Sequence, residues 1–131
     1  GKSKTRLKEL LFSLKNEYDL IILDCPPNLN LLSENVFNAV DMLLVPVIPT
    51  TLSERTYEQL LTFFAKNGYK KKIIRPFFSM AQSKNKLHKQ TIKEMELRYP
   101  VFMKSIIELL PEIERMGIQR APALAYASPK S

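Results

Sequence analysis

The chain has 131 residues, 45% of them hydrophobic and 25% charged, so it can bury a core and need not be disordered. The 20 Lys and Arg against 13 Asp and Glu leave a net charge of +7, which biases the chain toward polyanionic partners. The single cysteine, Cys25, excludes an internal disulfide, and residues 42–49, the longest apolar run, are far short of the ~20 residues that span a bilayer. We therefore expect a cytoplasmic chain, and because it starts at Gly1 rather than Met we interpret it as cut out of something longer.

The apolar residues predict helices that alternate with strands. Leucines at helical spacing predict a first helix that ends near residue 16, and the continuous run Leu20–Leu23 predicts a strand buried on both faces. Asp24 follows this strand, and Pro26 and Pro27 prevent its continuation. The later predicted elements are a helix over 31–40 capped by Asn30, a strand over 42–47, a helix from a capping box at Thr51 and Glu54 to Gly68, a strand over 73–80, a helix over 84–99 capped by Ser83, a strand over 101–107, and a short helix over 112–116 closed by Gly117.

This alternation predicts an α/β fold with a mainly parallel sheet. We predict a single domain over residues 1–131, with flanking helices on a partial doubly wound sheet that lacks its first strands. The three glycines are far apart, so no glycine-rich loop that could cradle a phosphate is expected. The segment Gly1-Lys2-Ser3 imitates the end of a Walker A motif, but no strand leads into it, and we interpret it as the start of a fragment.

Charge is distributed unevenly along the chain. Residues 15–65 contain two basic and seven acidic side chains, whereas residues 66–104 contain eleven basic and two acidic ones. Two interpretations stay open for the basic half, namely contact with a phosphate backbone and an ordinary solvated surface. The residues that we predict to contact DNA are Lys70, Lys71, Lys72, Lys84, Lys86, Lys89 and Arg120.

Asp24 is the residue with the clearest chemical logic. A carboxylate at the end of a buried parallel strand stands where open α/β sheets bind ligands, and there it can hold Mg²⁺ through a water molecule. The alternative is a carboxylate that caps the next turn. The lone histidine, His88, has no partners for a metal site, and we expect Cys25 to be a packing or turn residue because no dyad can be built for it.

Several motifs in the right order resemble the ParA/MinD family of deviant-Walker P-loop ATPases. The resemblance runs from about Tyr18 to Ser131, and it rests on the following segments: Tyr18-Asp19-Leu20-Ile21-Ile22-Leu23-Asp24-Cys25-Pro26-Pro27, Asp41-Met42-Leu43-Leu44-Val45-Pro46, Phe77-Phe78-Ser79-Met80 with Lys86-Leu87-His88, Glu114-Arg115-Met116-Gly117, Arg120-Ala121-Pro122, and Tyr126-Ala127-Ser128-Pro129-Lys130-Ser131.

The resemblance implies a dimerising ATPase that positions cargo, binds DNA non-specifically with ATP, and is released by a ParB-like stimulating partner. It implies that Asp24 is the Walker B carboxylate, acting on Mg²⁺ through water. Pro26 and Pro27 would begin the switch II segment that senses the γ-phosphate. The resemblance also implies that two further segments, Ser79–Met80 and Glu108–Pro111, contact the adenine. In the second segment the residue assigned to this contact is Pro111.

Departures from the family pattern limit what this chain can do alone. The nucleotide loop expected about a hundred residues before Asp24 is absent, and so is the switch I aspartate. Glu108 replaces the proline that the family often carries next to the adenine. The chain is therefore not expected to bind ATP and Mg²⁺ tightly or to hydrolyse ATP by itself.

Three hypotheses about function stay open. The first is the carboxyl-terminal portion of a ParA-like ATPase that partitions chromosomes or plasmids and acts in the cytoplasm at the nucleoid. The second is a non-catalytic module that binds DNA or a partner. The third is a related deviant-Walker enzyme, either a cofactor-amidating synthetase or a reductase iron protein, and the single Cys25 disfavours the iron protein.

Overall fold

The computed structural model of the chain describes residues 3–127. Its elements, in chain order, are α1 (Arg6–Phe12), α2 (Leu31–Ala39), β1 (Leu43–Val47), α3 (Thr51–Asn67), β2 (Ile74–Phe78), α4 (Lys86–Arg98), α5 (Pro111–Glu114) and α6 (Met116–Gln119). Short 3-10 turns lie at Ser13–Asn16, Lys71–Ile73 and Ala123–Ala125. None of the described helices is both long and apolar enough to cross a membrane.

The described residues form two compact units, of which the first contains residues 3–43 and 63–74. Its core is aromatic, because Phe37 of α2 packs against Phe64 and Tyr69 at ring-centroid distances of 4.7 and 5.6 Å. Gly68 adopts a φ of +71°, a backbone conformation that favours glycine, and α3 ends there as predicted. The turn lets the Tyr69 N–H reach the Phe64 carbonyl at 2.9 Å.

Helix α1 attaches to α2 of the same unit through polar groups. The Leu7 N–H donates to Asn35 Oδ1 at 3.1 Å, and Asn38 Nδ2 donates to the Lys4 carbonyl at 3.2 Å. No side chain of α1 is buried. The leucine stripe that predicts this helix is therefore only partly covered in the described structure.

The second unit contains residues 44–62 and 75–127, and its sheet is small and parallel. A parallel pair of strands needs a crossover connection, which α3 supplies between β1 and β2. Phe78 of β2 is fully buried and stacks on Phe102 at 4.5 Å, and Tyr57 of α3 meets Phe102 edge-on at 5.4 Å. The predicted α/β class with a parallel sheet and flanking helices is confirmed.

The predicted strand over residues 20–23 is wrong. In the described part of the chain these residues belong to no strand, and Leu20 and Ile22 are 75% and 82% exposed. A strand that is apolar on both faces needs a neighbouring strand and a layer over each face. None of the described residues pairs with this segment as a strand, so its sequence pattern has nothing to pack against.

The predicted strand over residues 101–107 is also wrong. The Met103 N–H donates to the Pro76 carbonyl at 2.8 Å, but Pro76 has no N–H to return a bond on this side of β2. Parallel pairing occurs instead as one bridge between Ala81 and Glu108. The apolar run therefore lies beside β2 without forming a ladder.

Three predicted helix boundaries differ from the structure. The Ser53 N–H donates to Thr50 Oγ1 at 3.3 Å, so Thr50 rather than Thr51 serves the first turn of α3. Asn85 rather than Ser83 caps α4, because its Oδ1 accepts the backbone N–H groups of Leu87 and His88. Gly117 does not close a helix; it lies inside α6, which ends at Gln119 and is followed by the cap residue Arg120 with a left-handed φ of 49°. The segments Gly1-Lys2 and Ser128-Pro129-Lys130-Ser131 lie outside the described residues.

Candidate functional site

The carboxyl end of β2 meets a second segment of the chain in the second unit. Ala81 donates its N–H to the Ile107 carbonyl at 3.1 Å and accepts the Leu109 N–H at 2.9 Å. The Ile107 N–H also donates to the Phe78 carbonyl at 2.9 Å. The two segments in which the sequence predicts adenine contacts, residues 79–80 and 108–111, are therefore neighbours.

Met80 occupies an unusual backbone conformation at this junction. Its φ is 53°, a left-handed value that costs a residue with a side chain roughly 1–2 kcal/mol relative to the right-handed form. Strain of this kind occurs preferentially at binding and catalytic sites. The Met80 side chain is half exposed next to Ser79, and Pro111 stands exposed at the start of α5.

A buried histidine, whose role the sequence did not indicate, braces the loop between β2 and α4. His88 Nδ1 accepts the backbone N–H of Gln82 at 3.1 Å, and the side chain is 7% exposed. The helical spacing of residues 88, 91, 92 and 95 could have placed His88 on the inward face, because Thr91 and Met95 are buried and Ile92 is partly covered. A lone histidine without metal-ligand partners gave no signal for a backbone contact.

Asp24 lies in the first unit, in an exposed segment without regular structure. Because the strand over residues 20–23 is not formed, the prediction that this strand carries Asp24 to a sheet edge is wrong for the described chain. The prolines that follow form a tight turn, in which the Asn28 N–H donates to the Pro26 carbonyl at 2.9 Å. Pro26 and Pro27 are both exposed, and the Cys25 thiol donates to the Leu23 carbonyl at 3.5 Å.

The turn leads directly into the amino end of α2. Asn30 Oδ1 accepts the N–H groups of Leu32 and Ser33, and the Ser33 side chain accepts the Asn30 N–H, which completes a capping box. An open depression of about 440 Å³ lies here, lined by Asn30, Leu31, Leu32 and Asn35. Since the cap already satisfies these N–H groups, they are not free to bind an anion.

Magnesium and a triphosphate fit the described residues only in part. Asp24 is an exposed carboxylate that can accept a hydrogen bond from a metal-bound water. Residues 3–127 contain no cluster of three or more His, Cys, Asp or Glu that could hold a metal ion directly. They also contain no glycine-rich loop, because Gly68 and Gly117 are far apart in the sequence. A grip for the phosphate groups is therefore absent from the described part of the chain.

The predicted DNA-contacting residues fall in both units. Lys70, Lys71 and Lys72 lie in the first unit, at and before the turn into β2, and are exposed. In the second unit, Lys84 is exposed just before α4, Lys86 and Lys89 are exposed in the first turn of that helix, and Arg120 is exposed just after α6. Each unit thus presents its own group of exposed cationic side chains.

Comparison with known proteins decides the family. The profile of a family described as an AAA domain matches residues 1–80, which is more than half of the chain. The chain belongs to the AAA domain family. Within this family, its resemblance to the ParA/MinD-type P-loop ATPases is confirmed by individual relatives.

Three relatives illustrate the range of similarity to this AAA domain chain. The sporulation initiation inhibitor protein Soj of Bacillus subtilis is 48% identical over 44 residues, which are 34% of this chain and 17% of the relative. The chromosome partitioning protein ParA of Myxococcus xanthus is 50% identical over 42 residues, or 32% of this chain and 15% of the relative. The cell division protein PomZ of the same organism is 28% identical over 128 residues, or 95% of this chain and 38% of the relative. The chain thus spans well under half the length of these relatives.

Proposed function

We propose that this chain is the Walker B and switch II portion of a ParA-type ATPase that partitions DNA or positions cargo in the cytoplasm. Its relatives include proteins named for chromosome partitioning and for cell division. The observation that supports nucleotide binding in this proposal is the bridge between Ala81 and Glu108, because it joins the two segments in which the resemblance implies contacts to the nucleotide base. Hydrolysis requires a phosphate grip that the described residues do not supply, so no catalytic step is assigned to this chain alone.

The proposed nucleotide contacts divide by chemistry. Asp24 would orient a water molecule on Mg²⁺, and Pro26 and Pro27 would begin the segment that responds to the γ-phosphate. Ser79, Met80 and Pro111 would contact the base at the carboxyl end of β2, where open α/β sheets bind ligands. Mg²⁺ supplies charge stabilisation for phosphoryl transfer when it is bound.

Nucleotide binding and hydrolysis by the intact gene product, compared with this segment, test the proposal. We expect the intact product to bind ATP and the segment to bind it weakly or not at all. Asp24→Asn in the intact product should lower Mg²⁺-dependent hydrolysis tenfold to hundredfold, in the range found for groups that act on a metal through its outer shell. Asp19→Asn is the matched control, because Asp19 is also exposed and precedes the same apolar run. If Asp24→Asn keeps the same hydrolysis rate as the Asp19→Asn control and the wild type, the role of Asp24 is refuted.

DNA, a second copy of the chain and a ParB-like stimulating protein are the proposed partners. The exposed lysines at the start of α4 and those before β2 would contact phosphates without reading sequence. Such contacts are ionic, so binding should weaken steeply as salt rises.

A non-catalytic module that binds DNA is the second candidate function. It is favoured by the exposure of Lys84, Lys86 and Lys89 in a chain whose described residues contain no phosphate grip. The two candidates differ in their need for nucleotide. A module should bind DNA equally with and without ATP, whereas the intact ATPase should bind DNA more tightly when ATP is present.

A further inference from the structure

His88 makes a contact that depends on its protonation state. Its Nδ1 accepts the Gln82 backbone N–H at 3.1 Å, so this nitrogen must carry a lone pair and the proton of the neutral ring must lie on Nε2. A ring protonated at both nitrogens would point an N–H at another N–H.

The loop that His88 holds is short and tied at both ends. At its start, Ala81 is paired with the segment over residues 107–109. At its end, the Asn85 N–H donates to the Gln82 carbonyl at 3.0 Å, and Asn85 Oδ1 caps α4. Gln82 lies between these two contacts, two residues after the strained Met80. Without the hydrogen bond to His88, the Gln82 N–H would lose its partner in the loop.

The geometry points to His88 as a positioning residue: its imidazole, with the proton on Nε2, holds the β2–α4 loop closed, and with it the backbone of Ser79 and Met80. The contact does not involve nucleotide. Its consequence for the base site rests on the proposed function, because Ser79 and Met80 are assigned to the base there.

Amide hydrogen exchange of the whole free chain at pH 7.5 tests the inference without nucleotide. Protection factors are compared for the amides of residues 79–85 and 107–109. His88→Asn is the informative variant, because its Oδ1 takes the place of Nδ1 as an acceptor. Gln82→Ala is the control, because the donor is the backbone N–H and not the side chain.

At pH 7.5 we expect His88→Asn and Gln82→Ala to keep the protection of the Gln82 amide within about twofold of the wild type. His88→Phe should lower it about threefold to tenfold, as the loss of one part-buried hydrogen bond predicts. Nitrogen NMR of the wild type at pH 7.5 should show the proton on Nε2.

Two results would overturn the inference. One is a Gln82 amide in His88→Asn that loses as much protection as in His88→Phe, and the other is a proton on Nδ1 at pH 7.5. If His88→Phe fails to fold, the comparison of His88→Asn with the wild type and the NMR measurement still decide. Neither depends on ATP, so an intact gene product that binds no nucleotide would refute the proposed function, whereas the expected exchange in this chain would still support the role of His88.

Discussion

The Tyr69 hydroxyl donates a 2.6 Å hydrogen bond to Glu34 Oε2, the same oxygen that pairs with Lys4 Nζ at 2.5 Å. These contacts join three separate stretches of the first unit. They also lower the pKa of Glu34, with the Lys4 hydrogen bond as the largest cause and the Tyr69 hydrogen bond as the second. The folded unit therefore prefers Glu34 ionised.

This preference predicts an acid-sensitive contribution to stability. A carboxyl group whose pKa is lowered by folding stabilises the fold above its ordinary value of 4.5, and that contribution is lost as the pH falls through the lower folded value. Glu34→Gln should therefore be less stable than the wild type at pH 7, and the difference should shrink below pH 4. Urea denaturation at pH 7 and pH 3 measures it. Glu17→Gln, at an exposed position, should show no such difference.

Phe78 tests the aromatic core of the second unit. Its side chain is fully buried against Phe102, so Phe78→Ala should lower the free energy of unfolding by about 3–5 kcal/mol through lost contacts and a cavity. Leu97→Ala is the control, because Leu97 is 84% exposed on α4, and its effect should stay within about 0.5 kcal/mol. Similar losses in both variants would contradict the packing described.

The apolar segment before Asp24 tests the unformed strand. Leu20 and Ile22 are largely exposed, so replacing both with serine should change the free energy of unfolding by no more than about 1 kcal/mol in total. The same double change in a strand buried on both faces would cost several times more. Sedimentation velocity should also show less self-association in the double variant, because exposed apolar segments promote it. A large loss of stability would mean that this segment is packed in solution.

The structure and the sequence analysis name different residues as the N-cap of α4. Asn85 Oδ1 accepts the N–H groups of Leu87 and His88 at 2.9 and 3.3 Å, so Asn85→Ala should cost about 1 kcal/mol of stability. Ser83→Ala should cost nothing measurable, because Ser83 lies before the cap in an exposed turn. Thermal denaturation monitored by circular dichroism compares the two. The reverse order would restore Ser83 as the cap.

The sequence predicted the helices well because their signals are local. The apolar spacing in α3 and the glycine at its end depend only on neighbours within one or two turns, and both are present in the structure. The strand over residues 20–23 failed because its burial depends on partners elsewhere. Pro76 interrupted the last predicted strand through its missing N–H, an effect that acts on a neighbouring segment and not on its own stretch of sequence.

The candidate site was predictable only in part for the same reason. The resemblance to a family singled out Ser79, Met80 and Pro111, but spacing alone could not bring Ala81 beside Glu108, since this pairing links positions 27 residues apart (108 − 81). The left-handed φ of Met80 has no signature in a methionine side chain. The role of His88 could not be predicted from sequence, because its partner is a backbone N–H, which every residue except proline carries.

Salt dependence of DNA binding tests the exposed lysines of α4. Lys86 and Lys89 lie three residues apart on one helix, and Lys93 continues the same exposed side. If Lys86 and Lys89 each contact one phosphate, replacing both with alanine should lower the slope of log K against log salt by about 1.8, or about 0.9 for each contact. Binding should weaken equally for unrelated DNA sequences, since phosphate contacts carry no sequence information. Lys8→Ala on α1 removes an exposed charge from a helix with no predicted DNA contact, and it should leave the slope unchanged. A slope that is insensitive to the α4 variants would mean that these lysines form an ordinary solvated surface.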